Sequence, residues 1–123
     1  MNTVKQYKQI SLQAKVNQAT PYELTYMLLE HAINKIELAI HALNNNDIPN
    51  KVVYINKVID IVENLNASLN YEINRKLCSN VNKLYQFILF NLVLANSKNS
   101  INNLLNAKQT LQAIFATWCA IKP

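Results

Sequence analysis

Not one glycine occurs in this chain of 123 residues, and three prolines are its only other strong backbone breakers. Tight sheet turns take the backbone to positive φ, where glycine alone meets no steric penalty. Hairpins are therefore hard to build from this sequence. Half of the residues are hydrophobic and 15% are charged, which also separates the chain from disordered polymers. An all-α fold follows, in a length that makes one domain and buries roughly two thirds of its unfolded surface without metals or disulfides.

Local signals divide the chain into four long helices. Thr20-Pro21-Tyr22-Glu23 is the sharpest of these signals. Thr20 accepts from first-turn amides, Pro21 takes the first helical position without wasting an N–H, and Glu23 completes a capping box. The helix it opens runs through Leu43, and the polar stretch from Asn44 to Asn50, with Pro49 as a boundary mark, connects it to the next. There Val52, Ile55, Ile59, Val62, Leu65 and Leu69 recur in steps of three and four opposite polar residues, the pattern of an amphipathic helix. A polar break from Asn70 to Asn74 precedes a third run, Leu77, Val81, Leu84, Ile88, Leu92 and Ala95. Ser97-Lys98-Asn99-Ser100 closes it and caps a fourth helix, whose stripe is Leu104, Leu111, Phe115 and Trp118 with the stem of Lys108 over the core. Short loops make successive helices antiparallel neighbours, so the expected architecture is an antiparallel up-down four-helix bundle over residues 20–121. Residues 1–19 carry a thinner apolar pattern that includes Tyr7 and Ile10, and read as a short extra N-terminal helix or arm.

Two of these helices hold more apolar surface than one core consumes. From Leu84 to Ala95 only Gln86 and Asn91 are strongly polar, so that helix shows Phe87, Phe90 and Leu94 on a second flank, with Tyr85 between. The helix from Thr20 has one stripe of Leu29, Ala32, Ile33, Ile36, Ile40 and Leu43 and another of Leu24, Met27, Leu28 and His31. Each large side chain left in water forfeits about 1.5–3 kcal/mol, so the two flanks predict a partner polypeptide. The segment ending at Ala95 is well short of the roughly 20 residues that cross a bilayer, and no membrane insertion is expected. An arm lying loosely over such a cleft is displaceable, which makes Tyr7 and Ile10 a removable lid.

Catalytic chemistry is thin. His31 and His41 are the only histidines and share one helix, and neither Cys78 nor Cys119 has a histidine beside it in sequence. Glu37 and His41, four apart, are the seed of a metal site, but the Glu-x-x-His pairs of a di-iron bundle are missing. A phosphate-cradling loop needs glycine. The residues thus predict neither an enzyme nor a cofactor. With no CxxC spacing and no apolar run at the start, the chain is expected in the cytoplasm with reduced thiols. The net charge of +5 permits an acidic partner, yet the basic residues are scattered singly apart from Arg75-Lys76, unlike the stacked basic face of a nucleic-acid binder. No nucleic acid is expected.

A set of residues in fixed order carries a resemblance. It comprises Tyr7 in a polar arm, Ala19-Thr20-Pro21-Tyr22-Glu23-Leu24 ahead of Met27-Leu28-Leu29, Asn46-Asp47-Ile48 between helices, and Leu65-Asn66-Ala67-Ser68-Leu69-Asn70. Leu84-Tyr85, Leu92, Ala95-Asn96 and Trp118 continue it. In combination they resemble the flagellar export chaperone family FliS. One departure is Glu30-His31-Ala32, where the family commonly has an acidic residue, glycine and alanine. The resemblance implies an antiparallel helical bundle that binds the disordered C-terminal segment of flagellin, keeps it from polymerising and hands it to the export gate. The expected partner-binding residues are Tyr7, Ile10, Leu24, Met27, Leu28, His31, Tyr85, Phe87, Phe90 and Leu94, on a monomer or weak homodimer. A self-associating helical interaction module that buries the same surface is the alternative.

Overall fold

The computed structural model describes residues 18–121, which form four α-helices: α1 (Pro21–Asn44), α2 (Ile48–Ala67), α3 (Arg75–Lys98) and α4 (Ile101–Ala120). Tyr7, Ile10 and most of the N-terminal arm lie outside the described residues. Every helix begins on a side chain that accepts from its first turn. Thr20 Oγ1 takes the Glu23 N–H at 3.1 Å, Asp47 Oδ1 takes Asn50 N–H at 3.3 Å, Asn74 Oδ1 takes Leu77 N–H at 3.0 Å and Ser100 Oγ takes Asn103 N–H at 3.2 Å. Two turns require a left-handed residue, and with no glycine available asparagine fills both, Asn46 at φ 56° and Asn99 at φ 52°.

The first connection is shorter than expected. Only Asn45, Asn46 and Asp47 link α1 to α2, because Ile48, Pro49 and Asn50 already form the first turn of α2, where the missing proline N–H has no helical partner to lose.

The helices pack in a ring, α1 on α2, α2 on α3, α3 on α4 and α4 back on α1. Polar contacts between opposite ends show that neighbours run antiparallel. At the start of α1 and end of α4, the Tyr22 hydroxyl donates to Trp118 O at 3.0 Å and Trp118 Nε1 donates to Tyr22 O at 3.1 Å, with the two rings stacked at 5.2 Å. At the start of α2 and end of α3, Lys51 Nζ donates to Asn96 O at 2.9 Å and Asn96 Oδ1 at 3.2 Å. Between α3 and α4, the side-chain amides of Asn103 and Asn106 donate to Asn91 Oδ1 at 2.9 and 3.3 Å.

Inside the ring lie Leu29, Ile36, Ile55, Val58, Val62, Ile88, Leu92, Leu104 and Leu111, all fully buried. In α1 the core stripe is the expected one with Ala39 and Ala42 added and Ile40 only half-buried. The α4 stripe keeps Leu104 and Leu111 buried, while Phe115 and Trp118 pack half-buried against the core. Lys108 is half-buried, with its ammonium 3.5 Å from Glu37. Two stripes differ from the expectation. In α2 Lys51 and Val58 are buried while Val52 and Ile59 are half-buried. In the first half of α3 the buried face is turned by one residue, about 100°, so that Cys78 and Tyr85 point inward and Leu77 and Leu84 outward.

Candidate functional site

The turn of α3 decides which apolar side chains meet solvent. Cys78, Tyr85, Ile88, Leu92 and Ala95 supply the core stripe, so steps of two from Tyr85 and Ile88 carry Phe87 and Phe90 to the far side of the helix. Phe87 is 47% exposed and Phe90 63% exposed. Leu94 completes this outward line half-buried, Val93 is exposed on one edge of α3, and Leu77 and Leu84 are exposed on the other. Next to Val93 the seam between α2 and α3 opens into a shallow hollow lined by Ile59, Asn96 and Ser97. One helix of the ring is therefore apolar both inward and outward.

Tyr85 is a correction. The sequence places it between the core stripe and the flank of Phe87, Phe90 and Leu94 as a partner-binding residue, but it is 3% exposed and belongs to the core. Burial pushes its hydroxyl up to about 12. Asn91 is drawn inward too, because its buried amide is satisfied on both sides: it donates to Phe87 O at 2.9 Å and accepts from Asn103 and Asn106.

The second expected flank lies elsewhere. Leu24, Met27 and Leu28 on α1 are half-buried, and His31 is exposed with the Lys35 and Lys57 charges near it. Partial desolvation first, and those two lysines next, hold His31 below its ordinary value. Because α1 and α3 are not neighbours in the ring, the α1 flank and the Phe87–Phe90–Leu94 line front different sides of the bundle. They do not form one groove. Leu77, Leu84 and Val93 were missed as surface residues; the near-continuous apolarity from Leu84 to Ala95 announced such a surface without naming its members.

The Glu37–His41 pair does not converge. Glu37 pairs with Lys108, and His41 Nε2 lies 3.3 Å from the Asn45 side-chain amide. Among the described residues no cluster of three His, Cys, Asp or Glu stands ready for a metal, and no helix is long and apolar enough to cross a membrane. Both cysteines are free thiols, Cys78 buried and donating to Asn70 O at 3.3 Å, Cys119 exposed.

Fold and surface together define a class: an antiparallel four-helix bundle whose third helix presents an open apolar face. Residues 3–123 match the family described as Flagellar protein FliS, and the chain belongs to that family. It is 31% identical to the flagellar secretion chaperone FliSB of Pseudomonas aeruginosa, across 98% of this chain and 96% of that one. The flagellar secretion chaperone FliS of Bacillus subtilis is 37% identical over 86% of this chain and 78% of its own length. That of Salmonella typhimurium is 29% identical over 98% of this chain and 90% of its own. A crystal structure of a bacterial flagellar chaperone superposes with a TM-score of 0.76, covering 92% of this chain and 95% of the other at 18% identity, which is a likeness of fold.

Proposed function

We propose that this protein is a cytosolic flagellar export chaperone that binds the disordered C-terminal segment of flagellin, prevents its premature polymerisation and keeps it competent for type III secretion. The observation that carries the reading is the outward line on α3, where Phe87 and Phe90 stand in solvent on a helix whose opposite side already fills the core. A guest that covers them removes apolar area from water, worth roughly 25 cal/mol per Å². A disordered guest pays ordering entropy on binding, and that cost keeps the complex releasable at the export gate. The half-buried α1 flank, on another side of the ring, suits a guest long enough to wrap around the bundle. Membership of the FliS family and the names of its curated relatives support the same reading. The chain works by binding, with no catalytic step or cofactor.

Calorimetry with the flagellin C-terminal segment of the cell that makes this chain tests it. The expected result is a complex of about one to one, weakened by Phe87→Ser and by Phe90→Ser. Undiminished affinity in both variants would remove the α3 line from the account. Light scattering over a range of concentrations separates the chaperone from a self-associating module, since the latter buries the same face in a stable dimer without any guest.

A further inference from the structure

From Ile73 onward the chain has six basic side chains and no acid, whereas all seven acids lie between Glu23 and Glu72. The fold turns this into two unlike halves, an acid-bearing pair α1 and α2 and an acid-free pair α3 and α4. Lys108–Glu37 is the one ion pair among the described residues, so the α3 cations have no acidic partner there. Lys83 and Lys98 are exposed, and the sequence places them at the two ends of the apolar line Phe87, Phe90, Leu94. The intervals are four, three, four and four residues, which put all five side chains on one side of a helix. Lys76, also exposed, continues the line one further heptad back.

An apolar centre bracketed end to end by unpaired cations has a specific complement. We propose that this strip docks an amphipathic helix whose apolar face ends, on one or both sides along its axis, in aspartate or glutamate. That this helix is a segment of exported flagellin rests on the reading above, while its acidic, amphipathic character rests on α3 itself. A nucleic acid offers no apolar face to Phe87 and Phe90. A lipid surface suits them less well, because interfacial helices line both flanks of their apolar face with cations along its length, and here the cations stand in line with it.

Titration of the full chain with two synthetic peptides of equal length and identical Leu/Phe face, one with Glu and one with Lys at the two ends of that face, is the test. The Glu peptide is expected to bind about tenfold or more tighter at low salt, with the preference shrinking as ionic strength rises. In the double variant Lys76→Glu/Lys83→Glu, at two exposed positions of which Lys76 lies in the first turn of α3 where an acid suits the helix dipole, the preference should disappear or reverse while the helical circular-dichroism signal is kept. Equal affinity for both peptides, binding of neither, or retention on phosphatidylglycerol vesicles in place of the Glu peptide overturns the proposal. None of these outcomes depends on flagellin, so the chaperone reading stands or falls separately on the Phe87→Ser and Phe90→Ser titrations.

Discussion

Lys51 is a charged side chain in the core, 2% exposed, with no carboxylate at ion-pair distance among the described residues. Its ammonium sits instead at the C-terminal end of α3, donating to Asn96 O and Oδ1, while the Asn96 amide donates to Asn56 Oδ1 at 3.2 Å. The last turn of a helix has free carbonyls and partial negative charge, so a cation there offsets part of its own desolvation. Lys51→Met keeps the apolar stem but leaves the Asn96 oxygens without a donor, and should lower stability by about 1–3 kcal/mol; an unchanged urea midpoint would show that the cap is idle. His31 gives a pH signature. Its folded value lies below the ordinary 6.5, so the fold favours the neutral ring; its contribution is complete above 6.5 and is lost as pH falls toward the depressed value. Thermal midpoints should therefore decline less between about pH 7 and 5 in His31→Gln than in the parent. Parallel declines in the two proteins would assign the acid sensitivity to other groups.

At the scale of elements, α1 and α4 are held by a reciprocal clasp. Tyr22 and Trp118 each donate to the other's backbone carbonyl and stack face to face, and one turn inward Tyr26 and Phe115 meet at 5.0 Å. Burial is the first cause that raises the Tyr22 hydroxyl above its ordinary value. Tyr22→Phe preserves the stack and removes one hydrogen bond, so a lower thermal midpoint is expected. Trp118 is the sole tryptophan, and acrylamide should quench its fluorescence more readily in the variant. Quenching identical to the parent would mean that stacking alone closes this end. At the same scale, the register of α3 is ambiguous in sequence. Leu77 and Leu84 match Cys78 and Tyr85 in apolar character, so periodicity scores both registers alike, and only packing in the ring buries Cys78 and Tyr85. Neither Lys51 nor Asn91 carries a sign of burial in sequence, because Lys51 meets Asn96 across 45 residues and Asn91 meets Asn103 and Asn106, 12 and 15 residues on, beside its local bond to Phe87 O.

For the whole molecule, the ring closes with every helix contributing to one core, yet α3 has a second apolar side left over. Substitutions on that side touch function before stability: Phe90→Ser should cost about 1 kcal/mol or less in urea unfolding and the half-covered Phe87→Ser about 1–1.5 kcal/mol, while each loses about 1–3 kcal/mol of guest binding. A variant that loses both in proportion would place these rings in the fold rather than the interface. Because the α1 flank and the α3 line face different sides, a guest confined to one helix reaches one of them at a time. A wrapping guest reaches both.

The sequence alone determined the fold class, the four helices and two of their four N-terminal caps, at Thr20 and Ser100, because these depend on local chemistry: no glycine for hairpins, oxygen-bearing residues before an apolar run, and apolar steps of three and four. It also determined that apolar surface would exceed the core. Which side chains form that surfeit was decided by tertiary packing, which turned α3 to bury Tyr85 and Asn91, expose Leu84, and set α1 and α3 apart in the ring. Helical periodicity locates a stripe only to within a residue or so, and a single residue is enough to turn a side chain from core to solvent.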